Sequence, residues 1–142
     1  IGTALVVALA AAFSQAQAER TQGGNWIRTN SGLSYQVLAQ GAGDIAAKGH
    51  LVAIHETTSL MDGTVIYDSR VKNTPVTFTL GANQVITGVD EGVTGMRVGE
   101  RRLLRVPPAL SQRTSYPPNT PKDATLYIDL ELLSIRKKGG LR

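Results

Sequence analysis

Few side chains in this sequence can do covalent or metal chemistry. The 142 residues include no cysteine, which excludes disulfides, thiol nucleophiles and thiolate metal sites. The two histidines, His50 and His55, stand five apart with no HExxH or comparable ligand spacing around them. They read as ordinary strand or solvent-facing residues, and neither a metal nor a cofactor is expected. The remaining candidates are cations. Fifteen Lys and Arg against eleven Asp and Glu give a net charge of +4. Arg101, Arg102 and Arg105 alternate with apolar residues, and Arg136-Lys137-Lys138 with Arg142 closes the chain. Both groups read either as docking surfaces for an acidic partner or anionic lipid, or as plain solvated faces. Nucleic acid is not an expected partner. Aromatic residues are only 5% of the chain, and none interleaves with Lys and Arg as a base-stacking platform would.

The length allows one domain and a tail, and a hydrophobic content of 42% supplies an ordinary core. Residues 1–18 read as a hydrophobic signal or anchor segment. Ala4 to Phe13 carries no charged or polar side chain, and Ala16-Gln17-Ala18 follows as an Ala-x-Ala triplet before Glu19 and Arg20. The apolar run falls short of the roughly 20 residues that span a bilayer. A cleavable export signal and a membrane anchor touching lipid through residues 1–13 both stand. Residues 19–32 read as a polar arm or linker, in which Trp26 either anchors a partner or folds back on its own domain.

Residues 33–136 read as the domain, and 137–142 as a basic tail. Leu33 to Leu38, Leu51 to Leu60, Val65 to Tyr67, Val76 to Leu80, Arg101 to Val106 and Thr125 to Ile135 carry strand patterns. Asp62-Gly63 marks a tight turn between the second and third. Only Val85 to Met96 has room for a helix. It contains Gly88, Gly92 and Gly95, each costing about 1 kcal/mol against alanine. One short helix starting near Asp90 and Glu91 is expected, since acidic groups suit a helix N-terminus. The fold class is therefore α+β, with antiparallel strands and a helix packed on one sheet face.

From Gly49 to Ile135, about three-fifths of the 142 residues, the order of motifs resembles the FKBP family of peptidyl-prolyl isomerases. Asp62-Gly63 with Tyr67-Asp68-Ser69 is similar to its DG…FDSS hairpin. Phe78-Thr79-Leu80-Gly81 with Val85-Ile86-Thr87-Gly88 is similar to FxLG…VIxGW. Glu91 to Glu100 is close to EGVxxMxxGE, and Ala124-Thr125-Leu126 with Asp129 to Leu133 resembles the closing strand. The resemblance implies a curved antiparallel sheet wrapped around one short helix, which Gly88, Gly92 and Gly95 let approach the sheet or turn at positive φ.

The resemblance also implies a chemistry without nucleophile, metal or cofactor. An X–Pro bond rotates over a barrier of about 18–20 kcal/mol. A dry, aromatic pocket disfavours the planar, polar amide relative to the twisted one, and a well-placed N–H holds the twisted carbonyl. Carried over residue by residue, the catalytic set is Tyr67 on the wall, Asp68 beside it, and Ile86 as the backbone donor. Val85 and Phe78 match family residues of the substrate site. Five positions depart: Glu56 for a tyrosine, Val76 for a phenylalanine, Val89 for the tryptophan floor, Gln112 for a hydroxyl-donating tyrosine, and Ile128 for a phenylalanine. The hairpin before Tyr67 is one residue longer than the family's. Each lost ring removes roughly 150–250 Å² of wall, and Glu56 brings a charge toward a site that works dry. Weak or absent isomerase activity is expected.

Two functions follow from this. One is a binding or assembly factor, or an accessory subunit of a membrane complex, with protein partners and little hold on X–Pro peptides. The other is a modestly active folding catalyst. Leaders of this kind on diverged single-domain immunophilins resemble those of plastids, so the thylakoid lumen is the expected compartment and the bacterial periplasm the alternative.

Overall fold

The computed structural model describes residues 25–113, 116, 118 and 120–137. The segment 1–18, read above as signal or anchor, and most of the basic tail lie outside the described residues. Among those described, no helix is long and apolar enough to cross a membrane.

Seven strands form one antiparallel sheet. They are β1 (Ile27–Arg28), β2 (Ser34–Ala39), β3 (Leu51–Ser59), β4 (Val65–Asp68), β5 (Val76–Thr79), β6 (Arg101–Val106) and β7 (Leu126–Arg136). Their order is β1-β2-β6-β7-β3-β4, and β5 also pairs with β3. The two short strands share one edge of β3: β5 lies along Leu51 to Ile54, and β4 along Thr57 to Ser59. Strand alternation decides which side chains go inward. On β7, Ile128, Leu130 and Leu132 are buried in the core, while Asp129 and Glu131 face the other way. Each such buried aliphatic side chain contributes about 1.5–3 kcal/mol.

The helix α2 (Thr87–Val93) closes the core from one side, with Val89 and Val93 buried in the same cluster as Leu104, Val106, Ile128 and Leu130. It starts before the expected Asp90. The Ile86 carbonyl, in extended backbone, accepts the N–H groups of both Val89 and Asp90 at 3.0 and 3.1 Å. The Asp90 carboxylate is instead committed to the Gly81 N–H at 2.8 Å, tying the end of β5 to the helix. The helix face against the sheet is glycine. A Cβ on Gly88 would lie 2.5 Å from Val106 Cγ1, and one on Gly92 would lie 2.4 Å from Leu104 Cδ1. Gly95, just beyond the helix, turns the chain at φ +92°.

A second element has no sequence signal of its own. Ser69–Lys72 forms a single helical turn, α1, directly after β4. Asp68 caps it, accepting from Arg70 N at 2.9 Å and Val71 N at 3.4 Å, and Asn73 ends it in the left-handed conformation. Ser69 is fully buried, and its Oγ receives the Glu56 N–H at 2.8 Å and sits 2.9 Å from His55 Nδ1. His55 is thus a structural residue.

The arm read for residues 19–32 joins the sheet in its described part. Ile27 and Arg28 pair with Tyr35 and Ser34. Trp26 lies edge-on to Tyr127 at 6.4 Å between ring centroids, and the Arg105 guanidinium sits 4.5 Å over the indole. The arginine strip is similarly occupied. Arg101 makes a paired contact with Asp129, both bonds at 2.8 Å, and Arg102 bonds Glu100 and stacks over Tyr35. Arg101 and Arg102 are thus each paired with a carboxylate, and Arg105 covers the Trp26 ring.

Replacing Gly88 by alanine tests the close helix seating. Alanine is the better helix former by about 1 kcal/mol, but overpacking costs about 1–3 kcal/mol. Thermal unfolding should show a lowered Tm, by several degrees. An unchanged or raised Tm would show that the helix does not depend on this contact.

Candidate functional site

The N-terminal end of α2, the β3–β4 corner and the residues Ser111, Arg113, Tyr116, Thr120 and Pro121 enclose a cleft of about 320 Å³. Of the ten residues expected to form a site, seven line it: Glu56, Tyr67, Val76, Val85, Ile86, Val89 and Ile128. Three do not. Asp68 spends its carboxylate on capping α1 and on the Thr57 hydroxyl at 3.2 Å. Phe78 lies along the same strand as Val76 but in the sealed core, 2% exposed. Gln112 is exposed and turned away, with Nε2 donating to the Pro108 carbonyl at 2.8 Å.

Strand geometry explains one residue that the sequence reading missed. β3 and β4 pair Thr58 with Tyr67 but Ser59 with Val65, so Ile66 is an extra residue on β4. Such a bulge bends the strand and breaks the in–out alternation. Ile66 and Tyr67, though adjacent, both face the cleft.

A second missed residue is a ring. Tyr116 comes into the lining from the proline-rich loop, with its hydroxyl 3.5 Å from Gln112 Oε1 and 3.4 Å from the Arg113 N–H. Gln112, expected to meet ligand, thus contacts a side chain that lines the cleft. With Tyr67, the cleft has two aromatic walls; the rest is chiefly aliphatic, with Val89 at the floor. Nothing in the loop's pattern of prolines and polar residues marked Tyr116 beforehand.

The donor expected at Ile86 is open. Its N–H bonds to no described residue, while its carbonyl starts α2. The acidic group is Glu56. Burial pushes its carboxyl above the usual glutamate range; the Thr58 hydroxyl, donating to Oε1 at 3.2 Å, and the Arg113 charge pull less strongly the other way. The described residues include no cluster of His, Asp and Glu able to hold a metal ion.

A curved antiparallel sheet packed on one short helix has counterparts among known proteins. The family model for FKBP-type peptidyl-prolyl cis-trans isomerase matches residues 43–133. The chain belongs to this family. FK506-binding protein 2 of Yarrowia lipolytica is 42% identical over 95 residues, 66% of this chain and 66% of that one. Human peptidyl-prolyl cis-trans isomerase FKBP10 is 45% identical over 86 residues, 61% of this chain but 15% of that protein. This FKBP therefore spans only part of the length of these relatives. The crystal structure of FkpA from Escherichia coli superposes with a TM-score of 0.73 at 27% identity, over 87% of this chain and 57% of that one.

Glu56 gives this FKBP a measurable pH signature. A carboxyl with a raised folded-state pKa holds its proton more tightly in the native state than in the unfolded one. Its contribution to stability is therefore full below the unfolded pKa of about 4.3 and is lost as pH rises through the folded value. Glu56→Gln should raise Tm at pH 7–8, and the gain should vanish below about pH 4. A gain independent of pH would mean that burial does not strain this carboxyl.

Proposed function

We propose that the cleft takes up X–Pro segments of other polypeptides and twists them slowly, so that the protein serves chiefly by holding its clients. The observation that carries this reading is the open Ile86 N–H beside a cleft whose walls are mainly aliphatic. The donor supports binding of a peptide carbonyl. The scarcity of rings supports slow turnover, because weaker enclosure leaves the planar amide better solvated relative to the twisted state. A protein that binds X–Pro chain and releases it slowly suits an assembly factor or accessory subunit of a membrane complex, such as a photosynthetic one. The export-like leader favours the thylakoid lumen, and the bacterial relative supports the periplasm as the alternative.

One observation favours a working folding catalyst instead. Tyr116 supplies a ring and a hydroxyl from the loop, replacing part of what Gln112 lacks.

Exchange NMR on an Ala-Leu-Pro-Phe peptide separates the two. The isomerisation rate should be raised measurably but fall about 10- to 100-fold short of an aromatic-walled family member, equivalent to about 1.4–2.7 kcal/mol of lost barrier reduction. Tyr67→Ala and Tyr116→Ala should each weaken peptide binding by about 5- to 10-fold. Catalytic efficiency equal to such a member would overturn the holding role. Retention with a membrane complex through a salt wash would support it.

A further inference from the structure

Glu56 is a group that twisting a proline bond does not require and that the fold does not use. Its backbone is committed: it pairs with Leu130 across the sheet, and its N–H reaches the buried Ser69 hydroxyl at 2.8 Å. Its side chain is not. The carboxyl turns into the cleft beside Tyr67 and Ile128, where its one described partner is the neutral Thr58 hydroxyl at 3.2 Å. No described lysine or arginine forms an ion pair with it. Arg113, on the exposed loop, acts on it only through its charge. A carboxylate drawn largely out of water with one neutral hydrogen bond is poorly compensated. The missing partner is a cation, and the cleft is open to one.

We infer that Glu56 makes this cleft selective for X–Pro segments that carry lysine or arginine next to the proline. The inference rests on the proposal that the cleft binds X–Pro peptide. A ligand ammonium or guanidinium entering the cleft makes a charge-assisted bond to the carboxylate and favours its ionised form. A ligand carboxylate meets a like charge in the same place. An apolar neighbour leaves the carboxyl as it stands. Arg113 competes with the ligand cation from the rim, so its charge sets how large the preference becomes. The selectivity belongs to this chain's own departure from an aromatic wall, since a tyrosine at position 56 would offer no charge to read.

The test is an NMR titration at pH 7 in 0.15 M salt with four capped peptides: Ala-Lys-Pro-Ala, Ala-Ala-Pro-Lys, Ala-Ala-Pro-Ala and Ala-Glu-Pro-Ala. One or both lysine peptides should bind about tenfold more tightly than the alanine peptide, and the glutamate peptide more weakly than either. In Glu56→Gln the ratio of lysine to alanine affinities should fall to near one. In Arg113→Gln, whose substitution keeps the backbone N–H that meets Tyr116, the ratio should widen, which provides a second readout if the Glu56 variant folds poorly. Equal binding of lysine and alanine peptides, or a lysine preference that survives Glu56→Gln, overturns the selectivity while leaving the peptide cleft in place. Binding of none of the four overturns the cleft's function as well.

Discussion

The seating of the short helix on β6 fixes where the floor and the backbone donor of the cleft lie. Gly88 and Gly92 are four apart on one helix face, and each would carry its Cβ into the side chain of Val106 or Leu104. With hydrogen in those places, the helix axis comes closer to the sheet than larger residues would permit. Val89 and Val93 are then buried on the core side, and the extended residue Ile86 is left at the helix entrance with its N–H unpaired. A helix held farther out would leave the floor detached from the walls. The helix is only seven residues long. A helix of that length has little stability of its own, so this contact is also what keeps it folded.

The second determinant is the β3–β4 corner. The bulge at Ile66 aims two successive residues into the cleft, and the α1 turn behind it is fixed by the Asp68 cap and the buried Ser69 hydroxyl. Asp68 lies next to Tyr67 in sequence, and its carboxylate caps the turn that follows the strand end carrying Tyr67. Below this corner, on the opposite face of the sheet, Arg101 clasps Asp129, while Arg70 bonds the Thr57 hydroxyl at 2.9 Å and lies 3.8 and 3.7 Å from Asp129 and Glu131. Asp129 is largely covered within this cluster, its side chain 15% exposed. Of the arginines that the sequence alone offered as a docking strip, Arg101 is occupied here.

The strands were legible because their apolar residues alternate between turn signals, and the boundaries follow closely from Leu51, Val76, Arg101 and Thr125 onward. The family was legible because four motifs fall in order. What escaped depended on contacts that no local pattern encodes. Asp90 looked like a helix start but is spent on Gly81. Gln112 stood at the position of a ligand donor but binds Pro108 and Tyr116. Tyr116 entered the cleft from a loop without periodicity, and Ile66 joined it only because one strand carries an extra residue. Phe78 shared the strand of Val76, but its depth in the core, rather than its side-chain type, keeps it out of the site. Of the candidate site, Glu56, Tyr67, Val76, Val85, Ile86, Val89 and Ile128 were readable, and Ile66 and Tyr116 were not.

These features converge on one arrangement: a backbone donor at a helix entrance, bonded to no described residue, beside a largely apolar cleft that holds a carboxyl with one neutral hydrogen bond. The direct test is a ¹⁵N–¹H titration of the protein with an X–Pro peptide. The arrangement predicts that the Ile86 amide proton shifts downfield as it acquires a carbonyl partner, together with changes at Val85, Tyr67 and Tyr116. An unmoved Ile86 amide, with the largest changes on the outer face of the sheet around Arg101 and Asp129, would contradict it.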